Sequence, residues 1–216
     1  MSASIHIATF VDFQFSENSF VVAVADTPHC WIIDPGFAPS PERIIRHVEE
    51  KGLKPDAMIL THGHLDHIAG VPDIMEAFPD LPIYMADAAA PALTDPNENG
   101  SAAFGMPLDV GEHATIDMPH GGELKLGDTE WLALDTSGHA PGSRSLYCEE
   151  VGVVFVGDAL FQQSIGRTDF ANSNHDELIR NIKERLLTLP EETRVFSGHG
   201  AVTTIGDEKQ YNPFLQ

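Results

Sequence analysis

The chain has 216 residues, 42% of them hydrophobic, enough for one sizeable domain with its own core and short for two. Its 12 Lys+Arg stand against 33 Asp+Glu, a formal net charge of −21 with the histidines neutral. Such a surface repels nucleic-acid phosphates and carries no basic stripe to offset that, its abundant apolar residues do not compose a disordered acidic tail, and no apolar run reaches membrane-spanning length.

Ser4 to Phe10, Ser19 to Ala25 and His29 to Asp34 read as three strands of an opening meander, with Asp26-Thr27-Pro28 as a turn. Asp34-Pro35-Gly36 ends the third strand. Ser40-Pro41 supplies a helix start, an N-cap hydroxyl followed by proline at the first helical position. Ile44, Ile45 and Val48 give that helix an apolar face, and Gly52 closes it. Ala57 to Leu60 is a short buried strand that delivers Thr61-His62-Gly63-His64-Leu65-Asp66-His67. Ile68, Val71, Ile74 and Met75 recur at helical spacing, so a helix is expected from near Asp66 to about Phe78, followed by a strand over Pro82 to Met85. This order suggests βαβ-like units with helices covering a sheet.

Residues 86–121 form a long segment of the kind that often walls an active site, with a short helix expected over Asp87 to Leu93. His113 and His120 fall here without ligand neighbours and read as ordinary loop histidines. Glu123 to Leu126 and Glu130 to Leu134 flank Gly127-Asp128, a hairpin signal. Ser145 to Cys148 and Gly152 to Val156 are two more strands, the second ending at Gly157-Asp158. Leu178, Ile179, Ile182 and Leu186 make a helical stripe after an Asn174 cap, and Val195-Phe196 is a last strand leading into Ser197-Gly198-His199-Gly200. The repeated pattern of strands, helices and turn is consistent with two sheets inside two helical layers, built by one α/β domain over residues 1–216.

Cys30 and Cys148 lie in apolar contexts and have neither a disulfide framework nor zinc-knuckle spacing, so buried free thiols in a reducing compartment are expected. The stretch from Met1 to Ile7 lacks a basic region followed by an apolar core, so a cytoplasmic protein without a signal peptide or a membrane partner is expected.

Four metal-capable side chains share the turn after the 57–60 strand: His62, His64, Asp66 and His67. Imidazole nitrogens and a carboxylate suit zinc, iron or manganese, and such crowding has little purely structural use. The stretch resembles the His-x-His-x-Asp-His signature of the metallo-β-lactamase-fold hydrolases. Thr136 to Ser143 resembles that family's second ligand motif, Gly157-Asp158 its third and Ser197 to Gly200 its last, in the right order, so the resemblance covers nearly the whole chain. It implies a four-layer αββα sandwich with His62, His64 and His139 on one metal, Asp66, His67 and His199 on a second, and Asp158 bridging both. Two divalent ions, zinc or else iron or manganese, would then sit about 3.5–4 Å apart with a water or hydroxide between them as nucleophile. Asp66 and Asp158 are the carboxylates implied in catalysis, and Asp34 would support the metal turn from behind.

Position 67 is His where one lactamase class has Arg, and position 158 is Asp where lactamases carry Cys or Ser. The site is thus more similar to glyoxalase II, and Gly157 to Phe170 together with Tyr211 to Gln216 resemble the short glyoxalase II-like hydrolases of bacteria. The implied activity is hydrolysis of S-acyl, in particular 2-hydroxyacyl, thioesters, with a small thioester as partner. Conventional glyoxalase II has a C-terminal helical region that offers basic residues to glutathione; residues after His199 show no counterpart, so weak glutathione recognition is expected. Arg167 is a candidate substrate contact, with a salt bridge to Asp169 as the competing reading. A mononuclear iron persulfide dioxygenase is the alternative activity, since such enzymes resemble this chain over Gly166 to Phe170, and a metal-binding scaffold is the non-enzymatic one.

Overall fold

The computed structural model describes residues 4–216; the first three residues of the N-terminal reading lie outside the described part. In chain order the elements are β1 (Ile5–Val11), β2 (Asn18–Val24), β3 (His29–Ile33), α1 (Ser40–Glu50), β4 (Lys54–Ile59), α2 (Leu65–Ile68), α3 (Val71–Ala77), β5 (Ile83–Tyr84) and β6 (Thr115–Ile116). There follow β7 (Glu123–Leu126), β8 (Thr129–Asp135), β9 (Arg144–Cys148), β10 (Val153–Gly157), β11 (Leu160–Phe161), β12 (Ser164–Ile165), α4 (His175–Asn181), β13 (Arg194–Ser197), β14 (Thr203–Thr204) and α5 (Ile205–Tyr211).

The strands form two six-stranded sheets, ordered β1-β2-β3-β4-β5-β6 and β14-β13-β10-β9-β8-β7, plus the small β11-β12 ribbon. In the first sheet β1 to β3 pair antiparallel, and β3 to β6 run parallel. The period-two alternation of side chains splits the core into three slabs. Val21, Ala23, Ile32 and Met58 face Ile44 and Val48 of α1 and Val71 and Ile74 of α3. Their strand neighbours Phe20, Val22, Trp31 and Ile59 face Trp131, Leu146, Phe155 and Phe196 of the other sheet. Trp31 and Trp131 meet with centroids 5.5 Å apart, and Phe20 packs edge-on to Phe155 at 5.1 Å. The outer face of the second sheet, with Val154, Val156 and Val195, receives Leu178, Ile182 and Ile205. Helices, sheet, sheet and helices are therefore the four layers expected. Every residue of β2 and β10 is buried, because each lies inside its sheet with both faces covered.

Several boundaries differ from the sequence expectation for local reasons. Ser40 is the first residue of α1 rather than its cap; Pro39 holds the cap position, and Ser40 Oγ is buried without a partner. The helix expected from Asp66 to Phe78 is two helices, broken at Ala69-Gly70 ahead of Pro72. A Cβ at Gly70 would approach the carbonyl oxygens of Gly36 and Pro35 to 2.8 and 2.9 Å, so the break lets the chain cross close to the Asp34-Pro35-Gly36 turn. Only Ala90–Leu93 of the helix expected over Asp87 to Leu93 forms, as a single 3₁₀ turn starting next to Pro91. Asn174 caps α4 by accepting from Glu177 N, and the stripe continues through a π-helical turn over Ile182–Leu186. Cys30 and Cys148 are buried free thiols, and burial pushes the Cys30 thiol up to about 12. Among the described residues no helix is long and apolar enough to cross a membrane.

Candidate metal centre

The functional side chains leave the C-terminal ends of strands that share a direction. In the second sheet β8 and β10 are both antiparallel to β9, and β13 is parallel to β10, so all three end at the same edge. His139 follows β8, Asp158 follows β10 and His199 follows β13, while the first sheet contributes His62, His64, Asp66 and His67 after β4. Backbone bonds tie the two sheets together at this edge: Arg144 N donates to Thr61 O at 2.8 Å, and Asn18 N to Gly198 O at 2.7 Å.

All seven sequence-designated residues meet there. The potential ligand atoms of His62, His64 and His139 lie within 4.8 Å of one another, as do those of Asp66, His67 and His199. Asp158 reaches both groups, with Oδ1 3.3 Å from His67 Nε2 and Oδ2 3.5 Å from His139 Nε2 and 3.4 Å from His199 Nε2. His113 and His120 are elsewhere: His113 Nε2 lies 3.0 Å from Val110 O, and His120 Nδ1 accepts from Asp135 N.

The supporting hydrogen bonds fix which ring nitrogen faces inward. Asp34 takes Thr61 N on Oδ1 at 2.8 Å, and Thr61 Oγ1 and His67 Nδ1 on Oδ2 at 2.6 and 2.9 Å. His67 therefore donates from Nδ1 and presents Nε2 to the cluster. Thr61, having given its hydroxyl proton to Asp34, accepts from His62 Nδ1 at 3.1 Å, and His139 Nδ1 donates to Arg167 O at 2.8 Å. Asp34, His62 and His67 also lie within ligand distance of one another. Both Asp34 oxygens are occupied by these donors, so its place is behind the cluster, as expected.

Cations suit this arrangement. His62 Nε2 is buried with no hydrogen-bond partner among the described residues, and His67 Nε2 and Asp158 Oδ1 are buried with only each other, at 3.3 Å. Leaving such groups unmade costs about 1–3 kcal/mol each, and a divalent ion satisfies imidazole and carboxylate together. A Cβ at Gly198 would lie 2.5 Å from His67 Cε1, so only glycine leaves this space open. Burial, together with neighbouring imidazoles, holds His62 well below the usual histidine range and takes His64 down to about 3; burial lowers His139 too. These three rings are neutral at pH 7, the form that ligates. Burial also opposes charge on His67 and His199, but the carboxylates around them prevail: His67 is raised well above its usual range and His199 to about 10.

Beside the cluster is a cleft of about 310 Å³, reached past Asp66, Asp158 and His199 and walled by Phe15, Phe104, Phe161 and Phe170. Arg167 lines it but is bidentate to Asp169, at 2.6 and 2.7 Å. Sequence reasoning missed Glu17, a fully buried carboxyl that burial pushes well above the usual carboxylate range, with Oε1 3.9 Å from His67 Nδ1. It also missed Asp12, whose carboxylate accepts from Gln14 N, Phe15 N and Glu17 N and shapes the loop carrying Phe15. An acid at the mouth of the wholly apolar run Phe20–Val24 was the signal available for Glu17.

Residues 13–199 match the model of the family described as the metallo-beta-lactamase superfamily. Over 187 residues the chain is 41% identical to "Probable metallo-hydrolase YqgX" of Bacillus subtilis, covering 86% of this chain and 87% of that one. It is 36% identical over 191 residues to "Hydroxyacylglutathione hydrolase GloC" of Haemophilus influenzae, covering 88% and 89%. Among solved structures, BLEG-1 B3 metallo-beta-lactamase superposes with a TM-score of 0.91 at 37% identity, over 98% of this chain and 100% of that one. TTHA1623 in a di-iron-bound form gives 0.84 at 34% identity, over 96% and 100%. The chain belongs to the metallo-beta-lactamase superfamily.

Proposed function

We propose that the protein is a dinuclear-metal hydrolase of S-acyl thioesters. The observation that carries this reading is Asp158, which stands within 3.5 Å of ring nitrogens from both histidine clusters. His62, His64 and His139 would hold one divalent ion, Asp66, His67 and His199 the other, and Asp158 would bridge them. When bound, such ions supply Lewis acidity and make water acidic enough to act as a nucleophile near neutral pH. Asp34, through His67 Nδ1, turns that ring's other nitrogen into the cluster, and Arg167 O does the same for His139, whose Nε2 meets His64 Nδ1 at 2.8 Å. Asp66 Oδ2 is 3.2 Å from His199 Nε2 at the more open side of the cluster, where a substrate enters. A thiolate leaves without a strong protein acid, which suits a cleft whose carboxylates are engaged with imidazoles. The name of the Haemophilus relative supports thioester chemistry, and the di-iron form of TTHA1623 supports two ions without deciding their identity here.

β-Lactam hydrolysis is the second reading, favoured by the likeness to BLEG-1. Four assays on one preparation of known metal content separate the candidates: S-lactoylglutathione, a chromogenic cephalosporin, glutathione persulfide with an oxygen electrode, and the first again with chelator. Chelator-sensitive thioester hydrolysis is expected, exceeding β-lactam turnover and consuming no oxygen. Faster cephalosporin turnover would give the second reading the site. Oxygen uptake by a one-iron protein would give it to persulfide dioxygenation.

A further inference from the structure

This inference rests on the thioester reading and asks which thioesters fit. The reacting carbonyl belongs at the ligand cluster, so the rest of the substrate must lie along the remaining cleft wall, and that wall is aromatic. Phe15 stacks on Phe37 with centroids 5.5 Å apart and meets Phe104 edge-on at 5.6 Å. Phe161 packs edge-on to His199 at 5.9 Å, and Phe170 lies 5.0 Å from the His64 ring. Phe104 is 45% exposed, apolar area left in water at the cleft mouth that a ligand would cover.

The same wall offers little to an anion. Arg167 is the one Lys or Arg lining the cleft among the described residues, and its guanidinium is already engaged: Nε and one Nη2 proton go to the two oxygens of Asp169, and it lies 4.6 Å over the Phe170 ring. The buried Asn99 amide is spent as well, donating to Ala92 O and Leu108 O while its oxygen accepts from Ser101 N. A carboxylate brought here would lose water and gain only the N–H groups of Arg167 that Asp169 leaves over, next to that like-charged carboxylate.

We infer that the cleft selects thioesters whose bulk beyond the reacting carbonyl is apolar and uncharged. Phe104 sets this preference, and Asp169 withholds Arg167 from anionic substrates.

The test compares kcat/KM for S-lactoyl esters of benzyl mercaptan, N-acetylcysteamine and glutathione, each divided by that ester's own hydroxide-catalysed rate. The benzyl ester is expected to exceed the glutathione ester by about tenfold, the scale of burying part of an aromatic ring. Phe104→Ala should remove most of that advantage, chiefly through KM. Asp169→Asn, on an exposed loop, should raise the glutathione ester about threefold relative to the benzyl ester. A wild-type preference for glutathione, or a benzyl preference that neither variant moves, would overturn the inference while leaving thioester hydrolysis intact. Hydrolysis of none of the three esters by metal-loaded protein would remove the thioester reading itself and the inference with it.

Discussion

The two halves of the metal centre are neighbours with opposite chemistry. His62, His64 and His139 form an all-imidazole group in which burial and mutual repulsion favour the neutral rings, His64 being lowered to about 3. Asp66, His67 and His199 are laced with carboxylates, and these push His67 upward and His199 to about 10 despite their burial. The first group is ready for a cation at neutral pH; the second must shed protons to accept one. Asp158 touches both, so the halves differ in preparation but share a bridge.

The largest expected effect comes from breaking that bridge. Asp158→Ala should lower activity by more than about a hundredfold, beyond the range typical of residues one shell removed from a metal, and should weaken both ions. His113→Ala and His120→Ala should change neither, since both rings are bonded outside the cluster. Metal lost on His120→Ala but retained on Asp158→Ala would show the ligand assignment to be wrong.

Asp34→Asn separates the halves. Asp34 bonds His67 directly and reaches His62 only through Thr61 Oγ1, so the variant should lose about ten- to a hundredfold in affinity for the second ion and less for the first. Titration calorimetry with zinc resolves the two steps, and equal weakening of both would remove the distinction.

Proton release sharpens the same contrast. Calorimetry in buffers of different ionisation enthalpy should find little release for the first ion at pH 7 and clear release for the second, whose affinity should rise with pH towards about 10. The metal-free chain should show the matching linkage. His199 has a raised folded pKa, so its contribution is complete below the unfolded value of about 6.5 and is lost as pH rises through about 10. Thermal melts of chelated protein across that window provide the check; stability rising with pH there would contradict it.

The smallest effect lies away from the metals. Glu208 on α5 is buried and accepts from Thr203 Oγ1, Asn212 Nδ2 and Gln163 N, while Asn212 Nδ2 also donates to Ser164 O. The C-terminal segment thus pins the β11-β12 ribbon that carries Phe161 into the cleft. Glu208→Gln should cost about 1–3 kcal/mol in denaturant unfolding and raise KM, with metal content unchanged.

These residues also show what the sequence made legible. The seven proposed ligands were readable because imidazoles crowd one turn and the remaining motifs recur in a fixed order. Short apolar runs bounded by turn residues marked the strands, and their order together with the family resemblance implied the four layers. Glu17 was marked only by the apolar run that follows it, and Glu208 not at all, because an acid in an acidic chain looks solvated until its partners are in place. The break in the 66–78 helix was marked by Gly70 and Pro72, yet the apolar spacing of Ile68, Val71 and Ile74 ran across it. The ribbon β11-β12 and the one-turn pieces of residues 86–121 are held by long-range bonds such as those of Asn99 and Asn212, and local periodicity carries no trace of these.

The most direct measurement is the metal content of chain purified without chelator and then dialysed against excess zinc, with Asp66→Ala alongside. Two equivalents per chain are expected for the wild type and one for the variant, the remaining ion held by His62, His64 and His139. A wild type that saturates at one equivalent would contradict the dinuclear centre.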